Sequence, residues 1–148
     1  MTLTKIPAKV IKNEADADAS ALIVAAPSRK RDSLRTLLRA VPRLTIIDLV
    51  DDASFVLESN GDHPPDLLVL DLSLSVNGTW TVLEQIRAKW PQTRCLVLVE
   101  TIQQRLMAQA AHVDGVLVNG FSTDKFFALV ERLLFRGDGS TIRDDALL

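Results

Sequence analysis

Short apolar runs alternate with amphipathic segments along most of this chain. Five runs have the length and composition of strands buried on both faces of a parallel sheet. They are Ala21–Ala25, Leu44–Val50, Leu67–Leu70, Cys95–Val99 and Val116–Val118. Strand-helix alternation repeated five times implies right-handed crossovers, so the pattern predicts an α/β fold with a doubly wound parallel sheet.

Between the runs, apolar residues recur at helical spacing. The shared faces are Leu34, Leu37, Leu38 and Val41; Val82, Leu83, Ile86 and Trp90; Leu106, Met107 and Ala110; and Phe126, Phe127, Val130, Leu133 and Leu134. Pro42 and Pro91 end the first two, and Ser122 is the predicted N-cap of the last, with Asp124 in its first turn. A weaker helix is predicted over Ala53–Glu58.

Length and composition restrict the class of protein. With 148 residues, 47% hydrophobic and 24% charged, the chain fits one globular domain over 21–136, with a leader over 1–20 and a tail over 137–148. A net charge of -2 argues against a nucleic-acid partner for this chain. The lone Cys95 excludes a disulfide within one chain. No stretch has the length of a membrane span, no signal core opens the chain, and we expect a cytoplasmic protein.

One carboxylate stands where chemistry is expected. The apolar run Leu67–Leu70 ends at Asp71, and Ser73, Ser75, Asn77 and Gly78 then indicate a loop. In open α/β sheets the carboxyl ends of the strands face the ligand crevice, so Asp71 is well placed to act. A turn-forming or helix-capping role is the alternative.

Four segments, taken in order, carry a family resemblance. They are Leu22-Ile23-Val24; Pro65–Leu72 with Asn77-Gly78 beyond it; Val82–Arg87; and Asp114–Val118. Together they resemble the receiver domain of two-component response regulators, from about Ala21 to Arg136. The resemblance implies a flavodoxin-like (βα)5 sheet with strand order 2-1-3-4-5. It also matches Asp71 to the aspartate that accepts a phosphoryl group from a histidine kinase. The tail resembles the linker after receivers in LuxR-type transcription regulators.

The chain departs from the receiver pattern around that aspartate. Receivers carry an acidic pair at the end of strand one, which holds Mg²⁺, but this chain has Ala25 and Ala26. The position of the phosphate-binding Thr or Ser matches Val99, with Thr101 as a fallback, and that of the Lys matches Asn119. Because methyl groups cannot ligate a metal, we expect that Mg²⁺ binding is lost and that no cofactor is used.

These departures leave Asp71 without the usual phosphoryl-transfer machinery. Asp71 is then expected to cap the following loop or to pair with a cation from the basic triplet Arg29-Lys30-Arg31. The alternative for the triplet is a solvated first turn of helix one.

The sequence therefore predicts a degenerate receiver, or pseudo-receiver, that is not an enzyme and signals through protein contacts. The alternative is a working phospho-acceptor, phosphorylated at Asp71 by a histidine kinase and regulating transcription. A flavin- or nucleotide-binding enzyme fits poorly because Pro27–Lys30 contains no glycine. His63 and His112 lack ligand spacing, so no metal site is predicted.

The last helix suggests where such a module makes contact. Adjacent residues on a helix point about 100° apart, so Phe126 and Phe127 cannot face the sheet equally well. Leu129 and Val130 widen the apolar face. We therefore expect one exposed aromatic and an interface there, with a second copy or another protein. The alternative is that the sheet and helix one cover the whole face.

Overall fold

The protein folds around one five-stranded sheet. A computed structural model describes residues 18–58, 63–72 and 79–136. The strands are β1 (Ala19–Val24), β2 (Leu44–Val50), β3 (Leu67–Asp71), β4 (Arg94–Val99) and β5 (Gly115–Val118). All neighbouring strands pair in parallel, in the order β2-β1-β3-β4-β5. The predicted α/β class and strand order are confirmed.

The first strand begins two residues earlier than predicted. Ala19 and Ser20, assigned above to the leader, belong to β1, and Ala19 N donates to Arg43 O at 2.7 Å. Ser20 N also donates to Asp66 Oδ2 at 2.9 Å. These bonds tie the strand's first residues to the segments before β2 and β3. The rest of the predicted leader, and the predicted tail over 137–148, lie outside the described residues.

Helices connect the strands as predicted. They are α1 (Arg29–Arg39), α2 (Ala53–Glu58), α3 (Thr79–Lys89), α4 (Ile102–Ala110) and α5 (Thr123–Glu131). The predicted N-cap of α5 is confirmed, because Ser122 Oγ accepts from Lys125 N at 3.1 Å. A π-helical turn over Arg132–Arg136 then replaces the continued α-helix that the periodicity suggests. None of the helices in the described ranges is long and apolar enough to cross a membrane.

Two apolar layers cover the two faces of the sheet. On one face α1 and α5 supply Leu34, Leu38, Phe126, Leu129 and Val130. On the other, α2, α3 and α4 supply Ala53, Val56, Leu83, Ile86 and Ala108. The central strands β3 and β4 are buried along almost their whole length, which explains their continuous apolar runs.

Helix α4 exposes the apolar residues whose spacing predicted it. Leu106 and Met107 are 59% and 44% exposed, and Ala110 is also exposed. The residue that α4 buries against the core is Ala108. The short apolar repeat therefore predicted the helix, although the residues of that repeat are exposed.

Helix α5, in contrast, buries most of the residues that were expected to form an interface. Phe126 and Val130 are fully buried, Leu129 is 6% exposed, and Phe127 is half-buried against the same core. The two phenylalanines are unequally buried, as expected, but neither is fully exposed. The residues on which the predicted interface was based pack against the domain's own core. Phe126 also stacks on the ring of Phe121.

The single cysteine lies inside β4 and should report on folding. Burial, the largest cause, and the Asp114 carboxylate together raise the pKa of the Cys95 thiol from 9.0 to about 12, while Arg87 opposes the rise. Above pH 9.0 the unfolded thiol ionises while the folded thiol keeps its proton, so this contribution to stability is complete below pH 9.0 and falls as pH rises toward 12. By pH 10 we expect a loss of about 1.4 kcal/mol. Urea unfolding of the chain and of Cys95→Ala, at neutral pH and at pH 10, measures this loss of stability. An equal loss in the variant would contradict the assignment to Cys95.

Candidate functional site

The carboxyl ends of the strands bring Asp71 beside the end of β1. Asp71 is the last residue of β3 and is 5% exposed. Val24 pairs with Leu70, so Ala25 follows β1 at the level where Asp71 ends β3. Asp71 Oδ1 accepts a hydrogen bond from Lys30 Nζ at 3.0 Å, in an ion pair whose lysine side chain is 30% exposed. The expected pairing with the basic triplet is present in the structure.

The first turn of α1 delivers that lysine. Ser28 has extended backbone geometry and caps the helix, its Oγ accepting from Arg31 N at 3.1 Å. This cap starts the helix immediately after the β1 loop, so Lys30 and Arg31 lie at the sheet's edge. Neither is a solvated residue of an exposed first turn.

Arg31 occupies the neighbouring part of the site. Its Nη1 donates to Ala25 O at 3.2 Å and forms an ion pair with Asp51. Asp51 was missed by the sequence reasoning, although it follows β2 directly and therefore reaches the same edge of a parallel sheet. Two cations and two carboxylates thus lie side by side here.

The other matched positions lie at the ends of β4 and β5, and Leu98 of β4, the residue before Val99, pairs with Asp71. Val99 is fully buried, and its carbonyl accepts from Asn119 N at 2.8 Å. Asn119 Nδ2 donates to Glu100 Oε2 at 3.1 Å. The residue matched to the receiver lysine therefore binds an acidic neighbour, Glu100, which the sequence reasoning did not include.

Thr101, the fallback for the phosphate-binding hydroxyl, serves as the N-cap of α4. Its Oγ1 accepts from Gln104 N at 3.0 Å, and Gln104 Oε1 accepts from Thr101 N at 3.3 Å. This reciprocal capping box satisfies two of the helix's free amide groups. The hydroxyl is thus engaged in starting the helix.

The described residues do not fit the Mg²⁺ ion that the receiver resemblance implies. Ala25 and Ala26 offer methyl groups where oxygen ligands are needed, and the Lys30 ammonium is bonded to the Asp71 carboxylate. Within the ranges that the structure describes, no group of three or more His, Cys, Asp or Glu side chains could hold a metal. Ser73, Ser75, Asn77 and Gly78, named above for the loop after Asp71, lie outside the described residues.

Several solved structures superimpose on this chain over most of its length. A pilus assembly-related protein from Burkholderia pseudomallei superimposes with a TM-score of 0.72 at 16% identity, over 87% of this chain and 97% of that one. The receiver domain of a sensor histidine kinase from Pseudomonas aeruginosa, with magnesium coordinated in its active-site cleft, gives 0.67 at 18% identity, over 80% and 98%. The phosphorylated cyanobacterial phytochrome response regulator RcpA gives 0.67 at 17%, over 84% and 100%.

The chain therefore has the receiver-domain fold. Searches found no matching family model and no matching curated protein. At 16–18% identity the likeness to the solved structures concerns the fold. The magnesium of the kinase receiver and the phosphoryl group of the phytochrome regulator belong to those proteins.

Proposed function

We propose that this chain is a receiver-like signalling module that works through protein contacts and does not depend on phosphorylation of Asp71. The observation that carries the proposal is the contact of 3.0 Å between Lys30 Nζ and Asp71 Oδ1, beside the methyl groups of Ala25 and Ala26. The domain's own cation occupies the carboxylate that would have to attack phosphorus.

Charge balance supports this reading. A phosphoryl group on a side chain adds roughly two negative charges at neutral pH. Mg²⁺ and a lysine at the end of strand five normally offset them in receivers, whereas here Asn119 follows β5 and donates a hydrogen bond to the Glu100 carboxylate. If Asp71 were phosphorylated, the single positive charge of Lys30 would offset only part of the added negative charge. Transfer to Asp71 therefore lacks electrostatic stabilisation.

The test is treatment of the full chain with acetyl phosphate and Mg²⁺, followed by intact mass measurement. We expect no increase equal to one phosphoryl group, and no saturable change in Trp fluorescence on titrating Mg²⁺ to about 1 mM, because oxygen ligands are missing. Beryllofluoride with Mg²⁺ should leave the amide spectrum unchanged. A receiver with the acidic pair, treated in parallel, controls for reagent activity. An adduct lost in Asp71→Asn would overturn the proposal.

One observation favours a second function, a working phospho-acceptor in a two-component system that regulates transcription. Asp71 itself is retained at the end of β3, where the matched aspartate of receivers accepts the phosphoryl group. Such activity would require Lys30 to leave the carboxylate before transfer. The same mass measurement separates the two functions, since only the second gives an adduct.

We propose that the contact surface lies on α4, because the large apolar residues of α5 pack against the domain's own core. Ile102 and Leu106 lie four residues apart, on one side of the helix, and are 65% and 59% exposed; Met107 adjoins them. These are three of the five large apolar side chains exposed in the described ranges. Exposed apolar clusters on one helix are typical of protein interfaces. We propose a second copy of the chain as the occupant, because α4 packs beside the edge strand β5.

Leu106→Asp should weaken self-association at least tenfold without unfolding the domain, since a charge would be buried in the interface. Sedimentation of the full chain over a wide concentration range measures the association, and urea unfolding checks the fold. Phe55→Asp is the matched control, because Phe55 is 51% exposed on a different helix. A chain that stays monomeric at every concentration, or equal weakening by both variants, would contradict the assignment.

A further inference from the structure

The strand at one end of the sheet, β2, has an outer edge that no described strand covers. With seven residues it is the longest strand, and within the described ranges it pairs only with β1. Val50 O accepts from Ala25 N, and the backbone groups of alternate residues point to opposite edges of a strand. The N–H and C=O groups of Ile47 and Leu49 therefore point outward, where a further strand can bond to them.

The two faces of this edge differ in chemistry. On the α2 face, Ile46 is 55% exposed, Asp48 is exposed, and Phe55 of α2 lies nearby with 51% exposure. On the α1 face, Ile47 and Leu49 are half-buried against the core. The strand contains neither Lys nor Pro, the residues with which many edge strands prevent further pairing. It is therefore open to the addition of a strand.

A row of arginines on α1 runs along the same edge. Arg31 forms an ion pair with Asp51, which directly follows β2, so this side of α1 faces the β2 edge. Arg35 and Arg39 continue the row at spacings of four residues. Arg39 is exposed, Arg35 is half-buried, and neither forms an ion pair with a described residue. Because residues 29–43 include six Arg or Lys and one acid, the α1 face of the edge is cationic.

A narrow acidic strand fits this arrangement better than a broad anionic surface does. Asp48, Asp51 and Asp52 are exposed within β2 or directly after it, and they would repel a membrane or a nucleic acid lying across the edge. In an added strand the side chains alternate between the two faces. Acidic residues can then lie toward α1, while apolar residues lie beside Ile46 and Phe55.

We propose that the outer edge of β2 binds an extended acidic segment of another protein, which joins the sheet as an additional strand. Main-chain hydrogen bonds to the edge supply affinity, and side chains supply specificity. Acidic side chains on the α1 face pair with Arg35 and Arg39, whose guanidinium groups match carboxylates. Alternate apolar side chains contact Ile46 and Phe55. The surface lies apart from Asp71 and α4 and does not rest on the function proposed for them.

The probe is an acetylated and amidated heptapeptide in which glutamate and valine alternate, with glutamate at both ends. Amide hydrogen exchange of the ¹⁵N-labelled full chain is measured by NMR. Saturating peptide should slow the exchange of the Ile47 and Leu49 amides by about tenfold or more, because their N–H groups become hydrogen-bonded. The Asp48 and Val50 amides, which point toward β1, should change little.

Three comparisons test the chemistry of the added strand. A lysine–valine peptide of the same length should bind about tenfold more weakly, since it faces the arginine row with like charge. N-methylation of one alternate set of peptide amides should abolish binding and that of the other set should not, because only one edge of the peptide faces β2. Arg39→Glu should weaken binding of the glutamate peptide about fivefold. Lys125→Glu, the same charge reversal at an exposed residue of α5, should leave it unchanged.

Several results would overturn the proposal. They are equal affinity for the two peptides, binding that survives either methylation, equal weakening by Arg39→Glu and Lys125→Glu, and no slowing at Ile47 and Leu49. Slow exchange of these two amides before peptide is added would show that the chain covers its own edge or, if it depends on protein concentration, that a second copy does. Phosphatidylglycerol vesicles should not bind. Vesicle binding that Arg39→Glu removes, without peptide binding, would assign the arginine row to a membrane surface instead.

Discussion

Replacing Phe126 by alanine should lower the free energy of unfolding by about 3–5 kcal/mol, as expected for removal of a buried phenylalanine. Phe126 is fully buried, lies 5.7 Å from Phe121 between ring centroids, and contacts Phe127 edge-on at 5.9 Å. Its loss would leave a cavity between α5 and the sheet that neighbouring side chains fill only in part. Urea unfolding followed by far-UV circular dichroism measures the change.

Graded variants distinguish a core residue from an interface residue. Phe126→Leu keeps much of the volume and should lose about 1–2 kcal/mol, which remains measurable if the alanine variant is too unstable. Leu106→Ala, at a residue that is 59% exposed, should change stability by no more than about 0.5 kcal/mol. If Phe126→Ala instead left stability unchanged and reduced self-association, the predicted interface on α5 would be restored.

The sheet could be predicted because its sequence signal is local and strong. Strands such as β3 and β4 are buried on both faces, so almost every residue in them is apolar and the run stands out without reference to the rest of the chain. Boundaries were less certain because pairing, not hydrophobicity, extends a strand. Ala19 joins β1 through a bond to Arg43 O, which no property of the residue itself indicates.

The helices were located correctly, and the apolar faces of α1 and α3 are buried as their spacing indicates. On α5 the adjacent Phe126 and Phe127 are unequally buried, as a rotation of about 100° per residue predicts, but both pack against the core. The chain then passes into a π-helical turn at Arg132. That turn lets Leu133, Leu134 and Phe135 all pack against the same core as Phe126. On α4 the small Ala108 faces the core, so the larger residues that dominate the apolar pattern are left outside.

The receiver residues that are missing from the site could be predicted from the sequence, but the contacts that replace them could not. The chain's own sequence places Ala25, Ala26 and Asn119 where the receiver resemblance expects ionisable groups. What replaces them depends on long-range geometry. Lys30 and Asp71 are 41 positions apart, and only the cap at Ser28, together with the register of β1 and β3, brings them within 3.0 Å.

The Lys30–Asp71 pair should be coupled in a double-mutant cycle. Lys30→Met keeps the aliphatic stem and removes the charge, and Asp71→Asn keeps the shape of the carboxylate. Each should cost about 2 kcal/mol, because the remaining partner is left with an unbalanced polar or charged group. The double variant should cost about 1 kcal/mol less than the sum of the two singles. Because Asp71 is almost buried, salt should reduce this coupling only slightly.

A second ion pair provides the matched control. Arg94 and Asp114 lie 3.6 Å apart with side chains 37% and 24% exposed, so the same cycle there should give a coupling energy below about 0.5 kcal/mol. If the Lys30–Asp71 coupling were equally small, the lysine would be a weak surface partner, free to leave the carboxylate. Asp71 would then be available for phosphorylation, which would contradict the proposed function. A coupling near 1 kcal/mol, retained at high salt, instead means that phosphoryl transfer must first break a contact that stabilises the fold.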